Sequence, residues 1–494
     1  MIADSTPLLV PGQTCWRTAP ADRLALIVDA DGYFRAAKAA MLAAQHRIML
    51  IGWDFDTRIE LEPRERELPG PNRLGRFLVW LTKSRPDVHI YLLKWDLGTL
   101  TDGLARGMPP VFLLNLFTSK RMHLVEDGAH PPGAAHHQKI VVIDDALAFC
   151  GGIDMTVDRW DTRDHPDDDV RRTNPNGAQH GPWHDATVAV DGAAAALIGE
   201  VARERWLTMT GENLEPIDAG IAAARLWPRA LQPTMEKVDV AIARTLPELN
   251  ERTEVREIEE LYVRAIRAAR NVLYFENQYL AARGLVDEIA ARLRAQDGPE
   301  VVIVLPRHSE GWLERQAMDG ARYRLLAELW EADEHDRLRV YFPVTAGGQP
   351  IYVHAKLLVV DDRLVRVGSA NLNNRSMGFD TECDIAVEAN ASDAELAGRI
   401  LDIRDDLIAE HLGVGIDRLR AELTDSNGSL VAAIDALRLE AGEGRTLVPF
   451  DSGVVAGEDS PLAESELLDP ARRPFSLLGR LRRVIDLRGR SLSA

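Results

Sequence analysis

Cysteine is nearly absent: Cys15, Cys150 and Cys383 are the only three in 494 residues. Three thiols cannot build a disulfide framework, and none of their spacings suits a metal site. Long apolar runs are missing too, since no stretch approaches the ~18 consecutive apolar residues of a membrane span. The segment 1–24 carries Pro7, Pro11, Arg17, Pro20 and Asp22 instead of an apolar core. No secretory signal is expected there, and the expected setting is cytoplasmic, with peripheral membrane contact open. Positive charge is in deficit, with 58 Lys and Arg against 77 Asp and Glu and a formal net charge of -19. That balance argues against a chain whose main task is gripping nucleic acid by its phosphates.

What is present is a soluble-globular composition, 46% hydrophobic and 27% charged. The length suits two lobes of roughly 200 residues each plus a tail. The first half shows helical spacing at Tyr33, Ala37, Met41 and Ala44, then the apolar strand RIMLIGWDF at 47–55. The second half repeats this with Ile258, Tyr262, Ile266 and Ala269, followed by NVLYFENQYL at 271–280. Both halves continue with a helical segment and a short apolar strand, HIYLLKW at 89–95 and EVVIVLP at 300–306. A further strand follows in each, at 121–127 and 337–344. The expected fold is α/β, with two similar lobes related by a pseudo-twofold axis. Each lobe is expected to be a mixed β-sheet flanked by helices, with a largely parallel centre. The expected domains are 1–225, 233–425 and a tail at 426–494, with the joint at 226–232.

The repeat is clearest in a hairpin. HHQKIVVIDDALAFCGGID at 136–154 stands in register with VHAKLLVVDDRLVRVGSAN at 353–371, with no gap needed in either copy. The Asp-Asp pairs at 144–145 and 361–362 supply turn chemistry. Strand residues two apart point to one face, so His137 and Lys139 project together, as do His354 and Lys356. An imidazole can act as nucleophile or acid beside an ammonium that neutralises phosphate oxygens. Two such pairs across a twofold axis complete a phosphodiesterase, one imidazole attacking phosphorus and the other protonating the departing oxygen. The two lysines face the transition-state charge, so this chemistry calls for no metal or other cofactor. From 13 His, 58 basic and 77 acidic residues, a His-x-basic-x4-acidic pattern arises by chance about 0.2 times per chain. One copy is weak evidence; two in the same hairpin are strong.

With both motifs complete, residues 25–415 resemble the phospholipase D superfamily. The likeness extends to GGIDMTVDRWD at 151–161, PWHDATVAVDG at 182–192, YFENQYL at 274–280 and GSANLNNRSMGFDTE at 368–382, which resemble phospholipases D of eukaryotic type. The resemblance implies that His137 is the nucleophile and His354 the general acid that later activates water; spacing alone leaves their order open. It implies that Lys139 and Lys356 hold the phosphate. Asp154 and Asn371, which stand at equivalent positions past their histidines, would add hydrogen bonds. It also implies a carboxylate behind each imidazole: Asp169 for His137, with Asp167 and Asp168 as alternatives, and Glu382 for His354. Asp144 and Asp361 complete the catalytic signature, although their place at strand ends points to turn hydrogen bonds.

Several neighbours carry two readings each. Asn373, Arg375 and Ser376 either bind phosphate or cap a helix. Trp160, Trp183, Tyr279 and Tyr352 either line a headgroup pocket or belong to the core. Cys150 and Cys383 are expected as buried thiols, His184 as an ordering residue, and His136 is set aside because only His137 stands two residues from Lys139.

The resemblance implies a monomeric enzyme that meets a phospholipid at a membrane surface, with no nucleic-acid partner. The expected activity is hydrolysis to phosphatidic acid with transfer to alcohols, against a cardiolipin-synthase-like transferase or a nuclease as alternatives. Residues 440–470 read as a flexible linker. The Arg-rich segment 472–490 reads as an amphipathic helix, either on a membrane surface or docked on protein.

Overall fold

The computed structural model describes residues 6–63, 66–96, 119–218, 220–250, 252–310, 319–442, 444–450 and 469. Two long strands, Arg17–Val28 and Met235–Leu246, pair antiparallel in the middle of one continuous sheet. Thr18 stands opposite Ala241 and Ala21 opposite Val238. The pseudo-twofold axis passes between them, because the strands on either side follow in matching order.

Outward through the first lobe run Ala186–Asp191, Leu147–Gly151, Ile140–Ile143, Arg47–Gly52, His89–Trp95 and Met122–Asp127. Outward through the second run Glu382–Glu388, Leu364–Gly368, Leu357–Val360, Val272–Glu276, Glu300–Val304 and Leu338–Val344. The expected parallel centre is not found. Only the three outer strands of each lobe are parallel, where the helices Leu74–Ser84 and Arg283–Arg294 provide crossovers. Among the inner antiparallel pairs, Ile140–Ile143 with Leu147–Gly151 and Leu357–Val360 with Leu364–Gly368 are joined by tight turns, where a parallel pair would need a crossover of a dozen residues or more.

Strands at the heart of the sheet are apolar on both faces. Ile48 and Leu50 face a helix-side core formed with Tyr33, Ala37 and Met41, while Met49 and Ile51 face a core shared by both lobes. Leu357 and Val359 enter the same shared core, and Leu358 and Val360 meet the second lobe's helices. Strands buried on both sides read as continuous apolar runs, which is how they stood out in the sequence. The joint at 226–232 sends Leu226 and Trp227 into the first lobe's core.

The expected tail begins later than its composition suggested. Residues beyond 426 include the helix Leu430–Glu440, whose Leu430, Val431, Ala433, Ile434 and Leu437 are buried. The strand Thr446–Pro449 then pairs with Leu338–Val344, and Phe450 packs edge-on against Phe342 at 5.3 Å. Helical spacing of these apolar residues outweighs the polar composition around them. The rest of the expected linker, apart from Asp469, and the Arg-rich segment 472–490 lie outside the described residues. Among the described residues no helix is long and apolar enough to cross a membrane.

Candidate active site

Each histidine motif leaves its own lobe and crosses to the other. His137 N donates to Thr381 O at 3.0 Å, and Thr381 N donates to Ala135 O at 3.0 Å. On the opposite side His354 N donates to His184 O at 2.7 Å, and Tyr352–Val353 pairs in parallel with Trp183–His184. This exchange brings the four motif residues together at the lobe interface. Lys139 and Lys356 both bear electrostatically on His137 and on His354.

The crossing also decides which carboxylate stands behind which imidazole. His137 Nδ1 lies 3.1 Å from both carboxylate oxygens of Glu382. His354 Nδ1 lies 2.6 Å from Asp185 Oδ2. Both expected pairings are therefore corrected: Glu382 serves His137, and Asp185 serves His354. Asp169 is instead bound to the backbone and guanidinium of Arg171, in a turn closed by Arg172 N. Asp167 accepts from Thr345 Oγ1 and Gly347 N, and neither it nor Asp168 meets a motif histidine. Spacing could not find these pairs, because each carboxylate belongs to the lobe opposite its histidine. The recoverable signal was strand equivalence, since Asp185 immediately precedes Ala186–Asp191 and Glu382 opens Glu382–Glu388, matching strands of the two lobes.

Both carboxylates are themselves held. Glu382 accepts from Ser376 Oγ at 2.6 Å and from Ser369 Oγ. Asp185 Oδ1 accepts from Ala186 N at 2.8 Å. Burial pushes Glu382 and Asp185 each up to about 7. Burial, followed by the nearby lysines, holds both motif imidazoles well below their ordinary value. Neutral imidazoles with Nδ1–H on a carboxylate leave Nε2 free for a reacting centre, the tautomer control seen in hydrolase triads. The same burial lowers Lys356 to about 7.

Lys139 Nζ makes an ion pair with Asp154 Oδ2 at 3.1 Å and donates to His137 O at 2.9 Å. Asp154 Oδ1 accepts from Trp53 N at 3.1 Å. Lys356 Nζ donates to Gln278 Oε1 at 3.2 Å and to His354 O. Asn371 Oδ1 is buried and has no hydrogen-bond partner among the described residues. Asp154, an acceptor only, steadies Lys139, whereas the Asn371 amide also carries N–H donors suited to a ligand oxygen.

Asp144 and Asp361 were grouped with the catalytic residues and are corrected to a structural place. Each lies just past the far end of a short strand, about 16 Å along the chain from its lysine. Asp144 accepts from the backbone N–H groups of Gln45, His46 and Arg47 at 2.7–2.8 Å. Asp361 accepts from those of Arg270, Asn271 and Val272 at 2.7–3.0 Å. Both have φ near +50°, a conformation that Asp tolerates in turns.

The remaining alternatives also resolve. Asn373 caps the short helix Asn374–Gly378 by accepting from Ser376 N, and Arg375 pairs with Asp380. Trp183 stacks on Tyr352 at 4.6 Å and tilts onto His354 at 5.2 Å, placing both aromatics at the site. Tyr279 reaches Gln278, while Trp160 is packed in the first lobe's core. Arg159, which the sequence did not single out, lies over Trp183 at 4.3 Å. Cys150 and Cys383 are buried thiols that meet where the lobes join. His136 is fixed between Thr381 and Asp127.

Comparisons with known proteins identify the relatives of this chain. Residues 118–286 match the family model described as phospholipase D, and residues 262–402 that described as cardiolipin synthase, PLD-like domain. Phospholipase D alpha 4 of Arabidopsis thaliana is 23% identical over 479 residues, covering 76% of this chain and 62% of the plant enzyme. Phospholipase D A of Dictyostelium discoideum is 26% identical, covering 79% of this chain and 35% of that protein. The chain thus spans from about a third to under two thirds of these two relatives. Phosphatidylserine synthase of Haemophilus influenzae shares the fold with a TM-score of 0.52 at 12% identity, covering 78% of this chain and 87% of that structure. With two family models of one superfamily in tandem and a duplicated fold around paired histidines, the chain belongs to the phospholipase D superfamily.

Proposed function

We propose that the protein is a phospholipase D, which hydrolyses glycerophospholipids to phosphatidic acid and a free headgroup and can pass the phosphatidyl group to an alcohol. The observation that carries this reading is the reciprocal pair of imidazoles, each held at Nδ1 by a buried carboxylate of the opposite lobe. His137 Nε2 attacks phosphorus, and the bond to the headgroup oxygen breaks as protonated His354 delivers its proton to that oxygen. The incoming phosphodiester anion supplies the negative charge that favours protonation of His354. Water, deprotonated by the now neutral His354, then attacks the phosphohistidine, releasing phosphatidic acid and freeing His137 Nε2. An alcohol in place of water gives headgroup exchange. Lys139, Lys356 and the Asn371 amide bind the phosphate oxygens.

The order of the histidines is supported by accessibility: the His137 side chain is 17% exposed and that of His354 only 5%. The formal charge of -19 favours a lipid over a polynucleotide substrate. A second reading, phosphatidyl transfer to a lipid alcohol, is favoured by the cardiolipin-synthase-type match at 262–402. Incubation with phosphatidylcholine or phosphatidylethanolamine and a primary alcohol is expected to yield phosphatidyl-alcohol together with phosphatidic acid. Cleavage of DNA with lipids untouched would overturn the proposal.

A further inference from the structure

Behind Asp185 lies a second cluster that the phosphodiester chemistry does not use. Asp29 precedes the helix Ala30–Ala43, His165 lies in a first-lobe loop, His184 in the short strand Trp183–His184, and Glu410 on the helix Ala394–Leu412 of the second lobe. Their side chains are between 0% and 4% exposed. One ligand atom from each falls within 4.8 Å of all the others. Asp29 Oδ2, His165 Nε2, His184 Nδ1 and Glu410 Oε1 are buried, and none has a hydrogen-bond partner among the described residues. Four converging polar atoms held at ion-pair separations of 3.2–3.5 Å, with no well-formed hydrogen bond among them, are costly to bury without something between them.

We propose that Asp29, His165, His184 and Glu410 bind one divalent transition-metal ion, zinc by donor type and spacing, that clasps the two lobes behind the active site. His165 Nε2 lies 3.4 Å from Asp29 Oδ2 and 3.5 Å from Glu410 Oε1. His184 Nδ1 lies 3.2 Å from Glu410 Oε1, and the Asp29 oxygen nearest it, at 3.6 Å, is Oδ1, the one that also accepts from Asp185 N. A tetrahedron with metal–ligand bonds of about 2.0–2.1 Å has edges of about 3.3–3.4 Å. Direct N–H···O hydrogen bonds span about 2.7–3.2 Å; the His184–Glu410 contact sits at that limit and the other three exceed it.

The outer contacts fit as well. Metal-binding imidazoles commonly present their other N–H to a carboxylate. His165 Nδ1 is 2.9 Å from Asp161 Oδ2, and His184 Nε2 is 2.8 Å from Glu276 Oε2. Two neutral imidazoles and two carboxylates balance a divalent charge. Two nitrogen donors favour zinc over calcium or magnesium, which take oxygen. Arg163 occupies the other oxygen of Glu410, and Arg445 Nη2 stands 3.5 Å from Oε1.

The ion touches no reacting atom. It fixes the segment that does the positioning: Asp185 N donates to Asp29 Oδ1 at 3.0 Å, and His184 O receives His354 N. Glu410 makes it a link between lobes.

Elemental analysis of protein purified on a tag free of histidine and dialysed exhaustively is expected to give about one zinc per chain. X-ray absorption at the zinc edge is expected to show two imidazole nitrogens and two oxygens, with no sulfur. His165→Gln and Glu410→Gln should each lower the zinc content at least fivefold. If those variants fail to fold, the unmodified protein decides. Refolded with a chelator, it should melt several degrees lower, and zinc should restore the loss. Unmodified protein with under a tenth of an equivalent of any transition metal, and no uptake on refolding with zinc, would show a purely ionic cluster and overturn the proposal. Phospholipase activity is not needed for any of these readouts, so failure of the proposed function leaves this test intact.

Discussion

His137 and Glu382 lie 245 residues apart in sequence and belong to different lobes, yet their side chains meet at 3.1 Å. Asp185 and His354 repeat the relationship in reverse at 2.6 Å. Neither lobe holds a complete catalytic half of its own, so docking of the lobes and assembly of the site are one event.

Glu382→Gln and Asp185→Asn are each expected to reduce kcat on the order of 10²–10⁴-fold, because the imidazole loses the partner that fixes its tautomer and supports its positive charge. Asp169→Asn should stay within about twofold of the unmodified enzyme. Steady-state rates of headgroup release on mixed micelles check both, and an Asp169 variant as impaired as the Glu382 variant would contradict the cross-lobe pairing.

His137→Asn and His354→Asn should each remove nearly all turnover, since the two residues act as a unit. With an activated leaving group that needs no proton, His354→Asn should still form the phosphohistidine and then stall. Acid-quench labelling from a radiolabelled substrate detects it. Label retained on the His137 variant would reverse the assigned order.

The folded-state values of Glu382 and Asp185, each about 7, lie above those of ordinary carboxyls. Folding therefore favours their protonated forms. The stability this gives is fully present below about pH 4 and is lost as pH rises to about 7. Glu382→Gln removes the buried charge, so it should raise the melting temperature at pH 8 even as it lowers kcat. The gain, on the order of 3 kcal/mol, should vanish near pH 4. Calorimetry at the two pH values tests this; equal gains at both would exclude burial of charge as the cause.

Asp144→Ala leaves three backbone N–H groups without their carboxylate. The expected loss is about 2–4 kcal/mol of stability with kcat little changed in the folded fraction. Chemical denaturation paired with active-site titration separates the two effects. A variant of normal stability with a large fall in kcat would return Asp144 to the reaction.

A Cβ at Gly152 would stand 2.1 Å from Asp185 Oδ1. Gly152→Ala should push Asp185 away from His354 and cut kcat about 10–100-fold. The equivalent residue of the second lobe is Ser369, whose hydroxyl bonds Glu382. Ser369→Ala should cost less, because Ser376 still holds that carboxylate. Matched kinetics of the two variants give the comparison.

The sequence by itself determined the duplicated hairpins, most strands and helices, and the four motif residues. Their signals are local: apolar runs, Asp-Asp turns and His-x-Lys spacing each act within a few residues. Tertiary structure decided the rest. The sheet runs unbroken through both lobes because Arg17–Val28 pairs with Met235–Leu246, a pairing between opposite halves of the chain that no periodicity encodes. Asp185 was hidden behind His184 in PWHD, and Asp169 drew attention through its acidic neighbours, since spacing places residues along a chain and not across an interface. The cluster of Asp29, His165, His184 and Glu410 comes from four separate segments and leaves no local pattern to read. What the chain writes locally is which side chains carry chemistry; which of them face each other depends on how two apolar sheet faces bury a common core.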